Sequence, residues 1–351
     1  MVEEIDEIRA RVLPHFDGWT GAAVARISSG LINRTYLLTR DDGVRAVLQA
    51  VSAIFSPEIQ GNILAVTERV AAAGLLTPRL LPTRDGQPYL AAPGGGVWRL
   101  LTHVDGVSFD VVGSGEQARS AGELVGRFHA AVDGLEHEFA GMRVGVHDTP
   151  RHLARLAEAV TAHDGHRLIA DVRPLAAEIR AGATALAPLP ALPPRICHGD
   201  LKFNNILFAG RQPPDDARAI CLIDLDTVGP LSLAYELGDA WRSWCNRAGE
   251  DNVQAKLDLE ILGASLRGYV AGLGRALTAE ERHGLLLGVE WVSLELSARF
   301  AADALDESYF GWDAARFPGR GEHNLVRARG QWSLHQELLA TRDQRASMLH
   351  P

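Results

Sequence analysis

The spacing of apolar residues changes character near residue 105. At the N-terminal end, Ile5, Ile8 and Val12 fall on one helical face within residues 3–16, which predicts a short amphipathic helix. β patterning follows. Val24 to Ile27 leads into Ser28-Ser29-Gly30 and the β-branched and aromatic run at 31–39. Asp41-Asp42-Gly43 then signals a hairpin turn, and 45–51 reads as the returning strand. Residues 58–74 have helical spacing and end at Gly74. Pro78, Pro82 and Pro88 predict irregular chain with a short strand at 80–84, and Val97 to Val104 a buried strand. Beyond 105 the helical period dominates, at 116–133, 151–162, 171–184, 253–272, 278–305 and 322–343. One β-like island interrupts it, from Arg195 to Asp226, entered through a Pro-rich connector at 186–194. The chain has no internal repeat. Its pattern divides it into a β-rich part, 1–104, and a mainly helical part, 105–351, in which Trp241, Trp244 and Trp291 read as core.

Composition narrows the class. Of 351 residues, 46% are apolar and 23% charged, an ordinary globular balance that excludes a disordered chain. Thirty-five glycines fit a loop-rich protein with both helices and strands. The net charge of −9 disfavours a nucleic-acid partner. Cys197, Cys221 and Cys245 are too few for a disulfide framework and form no CxxC pair. They read as buried thiols in a reducing compartment. The charged N-terminus lacks the apolar core of a signal peptide, and no apolar run is long enough to span a bilayer. The expectation is a cytoplasmic protein without a membrane partner.

The chemistry concentrates in the β-like island. His198-Gly199-Asp200-Leu201-Lys202-Phe203-Asn204-Asn205 precedes one apolar run, and Ile223-Asp224-Leu225-Asp226 ends the next. Phosphoryl transfer needs a carboxylate to orient an attacking hydroxyl and take its proton. It also needs oxygen ligands that hold Mg²⁺ against a triphosphate. Asp200 suits the first role, Asn205 and Asp224 the second. Asp226 reads as a brace for the loop, and His198 as a holder of backbone geometry.

With these residues the chain resembles the aminoglycoside-phosphotransferase and choline-kinase superfamily. Residues 198–208 match its catalytic loop and IDLD (223–226) its metal segment. Among those families it is most similar to the N-acetylhexosamine 1-kinases, through GLINRTYLL (30–38), RAVLQ (45–49), VHDTP (146–150), AICLIDLDT (219–227), ARFAAD (298–303) and EHNLVRARGQ (322–331). The resemblance implies an α+β, bilobal, protein-kinase-like fold with a small β-rich N-lobe and a larger, mainly helical C-lobe. It implies ATP and Mg²⁺ as cofactors, Asp200 as base, and Asn205 and Asp224 as metal ligands. Ser28, Ser29, Gly30 and Thr35 would approach the phosphates, and Leu101 to Val104 would form the hinge that pairs with adenine.

The fold usually places Lys or Arg on the strand where this chain has Gln49. The hexosamine kinases are similar in using Gln there, and a neutral amide still donates hydrogen bonds. Glu68 would be its partner, although the position also suits a solvated helix residue. Lys202 would supply positive charge near the transferring phosphoryl group. Sugar hydroxyls call for polar contacts, with Asn33, Arg299, Asp303 and Tyr309 as candidates beside Asp200. Arg299 and Asp303 share a helical face, which suits either a ligand or a surface ion pair. The expected partner is a small sugar, phosphorylated at its anomeric hydroxyl by a monomer or weak homodimer. An aminoglycoside, choline, homoserine or another sugar remains open as acceptor. A catalytically inactive nucleotide-binding regulator is the reading from another class.

Overall fold

The computed structural model describes residues 2–27, 32–92, 96–143 and 145–349, so Ser28, Ser29 and Gly30 lie outside the described residues. Helix α1 (Val2–Arg11) passes into a single 3₁₀ turn at Leu13–His15. It stops short of the expected residue 16 because Pro14 has no N–H to continue the ladder. Strands β1 (Ala23–Ile27), β2 (Arg34–Thr39) and β3 (Arg45–Val51) form an antiparallel meander. Helix α2 (Ile59–Ala72) and the short strands β4 (Leu80–Leu81) and β5 (Leu90–Ala91) precede β6 (Val97–Thr102). The sheet order is β1-β2-β3-β6-β4, with β5 also on β6. Register sets Gln49 opposite Thr35 on one side and opposite Arg99 on the other.

Helices α3 (Gly115–Val132), α4 (Thr149–Ala162) and α5 (Ile169–Ala185) follow. The central island holds β7 (Arg195–Cys197), β8 (Ile206–Phe208), β9 (Ala219–Leu222) and β10 (Gly229–Leu231), paired β8 with β9 and β10 with β7. Then come α6 (Leu233–Trp244), α7 (Leu259–Leu273), α8 (Ala279–Asp306), α9 (Arg320–Ala340) and α10 (Arg342–Leu349). The fold is α+β, a small antiparallel sheet region beside a larger helical part. Helix α8 starts where its sequence says it should, on a capping box between Thr278 and Glu281. Helix α7 begins at Leu259 rather than 253, because the Asp258 side chain caps it by accepting from Ile261 N–H. Trp241 and Trp244 are core as expected, whereas Trp291 is only partly buried and donates its indole N–H to the Ala187 carbonyl.

One apolar cluster covers one face of the sheet, where Ile8, Leu13 and Phe16 meet Tyr36, Leu38, Leu48 and Leu100. The apolar face of α2 (Ile59, Ile63, Val66, Val70) instead joins the core of the helical part, with Val125, Phe128, Leu237 and Tyr269. Many glycines are not in loops at all. On α3, a Cβ at Gly122 or Gly126 would lie 2.1 Å from the Ser265 carbonyl oxygen or 2.2 Å from that of Tyr269. On α7, a Cβ at Gly268 or Gly272 would lie 1.9 Å from the Arg119 oxygen or 2.0 Å from that of Glu123. The two helices therefore touch backbone to backbone along a side-chain-free seam.

Candidate active site

The catalytic loop is built on glycine and held by buried polar groups. Gly199 has φ +81°, and a Cβ there would come within 2.6 Å of the Thr227 carbonyl oxygen, so only glycine fits. The buried carboxylate of Glu236, on α6, accepts from the backbone N–H of His198 at 2.8 Å and of Gly199 at 2.9 Å. His198 is fully buried. Its Nε2 lies 2.8 Å from the Ile223 carbonyl, while its Nδ1 accepts from Asp200 N–H at 3.3 Å, which selects the Nε2–H tautomer. One imidazole thus spans the Asp200 turn and the start of the metal segment. Trp244 donates to the Leu201 carbonyl at 2.7 Å and closes the support. Glu236 belongs to α6, which the sequence reading passed over; the signal was available in Ser232 as cap and in the Leu233, Leu237, Ala240, Trp241, Trp244 spacing. Cys197 lies beside His129 and Glu236, their ligand atoms within 4.8 Å of one another. Both Glu236 oxygens are already taken by amides.

Asp200, Asn205 and Asp224 come together on this support. Asn205 donates its Nδ2–H to the Asp200 carbonyl at 2.8 Å and lies 3.5 Å from Asp200 Oδ2, and its own carbonyl accepts from Ile223 N–H at 2.9 Å. The amide is thereby turned so that Oδ1 faces away from Asp200. Asp224 adopts φ 63° and ψ 60°, a left-handed conformation rare for a residue with a side chain. Its residue surface is exposed, yet protein charges and atoms crowd its carboxyl. Loss of hydration and the neighbouring charges of Asp226 and Asp200 raise its carboxyl to about 6. Among the described residues, neither Asn205 Oδ1 nor the Asp224 carboxylate accepts a hydrogen bond. These unclaimed hard oxygens beside Asp200 suit a divalent cation, which would also relieve the crowding of negative charge. Lys202 Nζ sits 3.0 Å from Asp200 Oδ2. Burial would lower its ammonium, but the Asp200 carboxylate outweighs that and holds it above its ordinary value.

Two residues of the expected nucleotide side, Glu68 and Leu101, and the sugar candidate Asn33 depart from expectation. Glu68 is exposed on the outer face of α2 and does not reach Gln49. The inward position of that helix is Gln60, fully buried. Arg99 joins them, its Nε–H donating to Gln49 Oε1 at 2.8 Å and its NH1 to Gln60 Oε1 at 3.3 Å. The same guanidinium forms an ion pair with Asp226, both side chains 2% exposed. Asn33 is also committed. It donates to Asp226 Oδ2 at 2.6 Å and accepts from Ser52 N–H at 2.9 Å, so it braces the Asp224–Asp226 turn and its amide is not left free for a sugar. The Thr35 hydroxyl accepts from Gln49 Nε2 at 3.2 Å. Leu101 is flanked by Val47 on β3 and Leu80 on β4, which commits its backbone to the sheet. Residues 103–106, including Val104, make no backbone hydrogen bond within the described chain, so the free edge starts two residues later than expected.

Arg299, Asp303 and Tyr309 line one cavity of about 610 Å³ between α4 and α8, together with Arg143, Arg151 and His152. Asn33 and Asp200 are not part of its lining. Asp303 does not pair with Arg299. Its carboxylate accepts from the backbone N–H of Ser308, Tyr309 and Phe310 and from Asn324. It holds the loop that presents Tyr309, whose hydroxyl accepts from Arg143 at 2.8 Å. Arg299 lies over the Phe310 ring at 5.5 Å. A smaller cavity of about 160 Å³ adjoins the catalytic loop and is lined by Lys202, Asn204, Arg242, Asn246 and Glu250.

Known proteins agree with this architecture. Residues 23–277 match the model of the phosphotransferase enzyme family. A homoserine kinase from Zymomonas mobilis is 25% identical over 268 residues, 76% of each chain. An aminoglycoside phosphotransferase from Alicyclobacillus acidocaldarius superposes with TM-score 0.65 at 18% identity, over 97% of this chain and 96% of that one. An amicoumacin kinase solved with AMP-PNP, Ca²⁺ and its antibiotic gives TM-score 0.61 at 13% identity, over 96% and 94% of the two chains. By a family match that spans well over half its length, this chain belongs to the phosphotransferase enzyme family and is a small-molecule kinase with an alcohol group as acceptor.

Proposed function

We propose that the protein phosphorylates the anomeric hydroxyl of an N-acetylhexosamine, with ATP as donor and Mg²⁺ as metal. The meeting of Asp200 and Asn205 with Asp224, which comes from the turn after β9, carries this reading. Asp200 orients the acceptor hydroxyl and takes its proton. An anomeric hydroxyl is more acidic than an ordinary alcohol, so a carboxylate paired with Lys202 suffices as base. A divalent metal on Asn205 and Asp224, when bound, neutralises charge on the β- and γ-phosphates. Gln49 offers its amide N–H to phosphate oxygen. The polar cavity with Arg143, Arg299 and Tyr309 supplies donors for sugar hydroxyls and an N-acetyl carbonyl. The Gln at position 49 and the run at 322–331 favour this sugar class over the other acceptors of the fold.

A second acceptor class has its own support. Arg143, Arg151 and Arg299 line the larger cavity without a carboxylate partner among the described residues. They would accept the carboxylate of an amino-acid alcohol such as homoserine, and would repel a polycationic aminoglycoside. One assay separates these readings: ATP·Mg²⁺ turnover against N-acetylglucosamine, N-acetylgalactosamine, free hexosamines, neutral hexoses, homoserine, choline and kanamycin, with product NMR. A phosphate on carbon 1 of an N-acetylhexosamine is the expected result. Turnover confined to homoserine would replace it.

A further inference from the structure

The cation that most kinases of this fold carry on β3 is missing here, yet a buried guanidinium sits one strand away. Arg99 is 2% exposed, and nothing about the packing of a six-residue strand asks for a charge there. A buried Arg is tolerated only when its donors are matched, and here they meet Gln49, Gln60 and Asp226. These partners come from three places. Gln49 is on the nucleotide-facing sheet, Gln60 on α2, and Asp226 two residues beyond the proposed metal ligand Asp224. The second oxygen of Asp226 is held by Asn33, next to the expected phosphate loop.

We propose that Arg99 is a positioning residue of the nucleotide site. It fixes the Gln49 amide with its nitrogen toward the phosphates, and ties the metal loop to the sheet through Asp226. The argument is one of donors and acceptors. A primary amide has a carbonyl end and an NH₂ end, and only the second can bind phosphate oxygen. A guanidinium has no acceptor, so whichever end of Gln49 faces Arg99 must be the carbonyl. Its Nε2 is then turned to the Thr35 side, where one N–H meets the Thr35 hydroxyl at 3.2 Å and the other is left for a ligand. Arg99 thus converts a neutral side chain of ambiguous polarity into an oriented donor, and it does so without entering the cleft. The proposal rests on nucleotide binding and not on which acceptor is used.

The test is calorimetric titration of the full chain with Mg·AMP-PNP, beside circular dichroism and acceptor KM. Gln49→Glu keeps an acceptor toward Arg99 but presents carboxylate oxygen to the phosphates. The expected result is a folded protein whose AMP-PNP affinity falls at least tenfold, with little change in acceptor KM. Arg99→Lys, which keeps the charge but not the fork, should weaken AMP-PNP binding less than Arg99→Met does. Combining Arg99→Met with Gln49→Glu should cost less than the product of the single losses, because both act through one amide. Variants that lose melting temperature yet bind AMP-PNP within twofold of wild type would reduce Arg99 to a structural ion pair and overturn the proposal. So would losses that multiply in the double variant. A wild-type chain that binds no nucleotide would sink the kinase reading itself, an outcome distinct from failure in the variants alone.

Discussion

Asp224 is a single residue held in two costly states at the candidate site. Its left-handed backbone and its crowding by Asp226 and Asp200 are both unfavourable in the metal-free chain. With the carboxyl raised to about 6, the folded protein holds a proton between roughly pH 4 and 6 that the unfolded chain has released. Stability from this group therefore falls as pH rises through that window. Asp224→Asn should melt higher than wild type at pH 7.5 without metal, and the difference should shrink toward pH 4. A metal ligand must be deprotonated, so Mg²⁺ titrations should also show weaker binding at pH 5.5 than at 7.5. With Asp200 as the proposed base, Asp200→Asn should lower kcat by about 10²–10⁴-fold while Mg·AMP-PNP still binds. At this scale the sequence was legible where partners are close in the chain, as Asp200 and Asn205 are. Arg99 was not legible, because its link to Gln49 and Asp226 arises from strand register and from a contact between distant segments.

At the level of elements, local signals and tertiary demands compete. Strand β3 was readable to the residue because alternation and the Asp42-Gly43 turn agree. Helix α6 escaped because Gly238 and Asp239 weaken its helical pattern. Gly238 is there because a Cβ would press within 2.8 Å of the Gly288 backbone on α8. The glycine count suggested loops for the same reason, since composition does not reveal which glycines lie between touching helices. Substitution separates the two kinds. Gly61, in α2 with nothing within 4 Å of its absent Cβ, should gain about 0.5–1 kcal/mol on Gly61→Ala. Gly122→Ala meets the Ser265 carbonyl and should lose about 1–3 kcal/mol or more, read by urea unfolding of both variants.

For the whole molecule, ligand binding and stability are one equilibrium. Mg·ATP should raise the melting temperature, by an amount equivalent to about 2.7 kcal/mol at a hundredfold excess over Kd. The Asp224→Ala variant should lose the magnesium-dependent part of that rise. No helix among the described residues is long and apolar enough to cross a membrane. The change from strand to helical period near residue 104 was visible in the sequence, but the packing between the two parts was not. The apolar face of α2 belongs to the core shared with α3, α6 and α7, as do Leu80, Val51 and Leu101 of the sheet, while α1 and the other face of the sheet have a core of their own. If nucleotide entry moves the sheet, α2 should stay with the helical part whose core it shares. Spin labels on the outer sides of α2 and α3 should keep their spacing when nucleotide enters, while a label on β1 should shift against both.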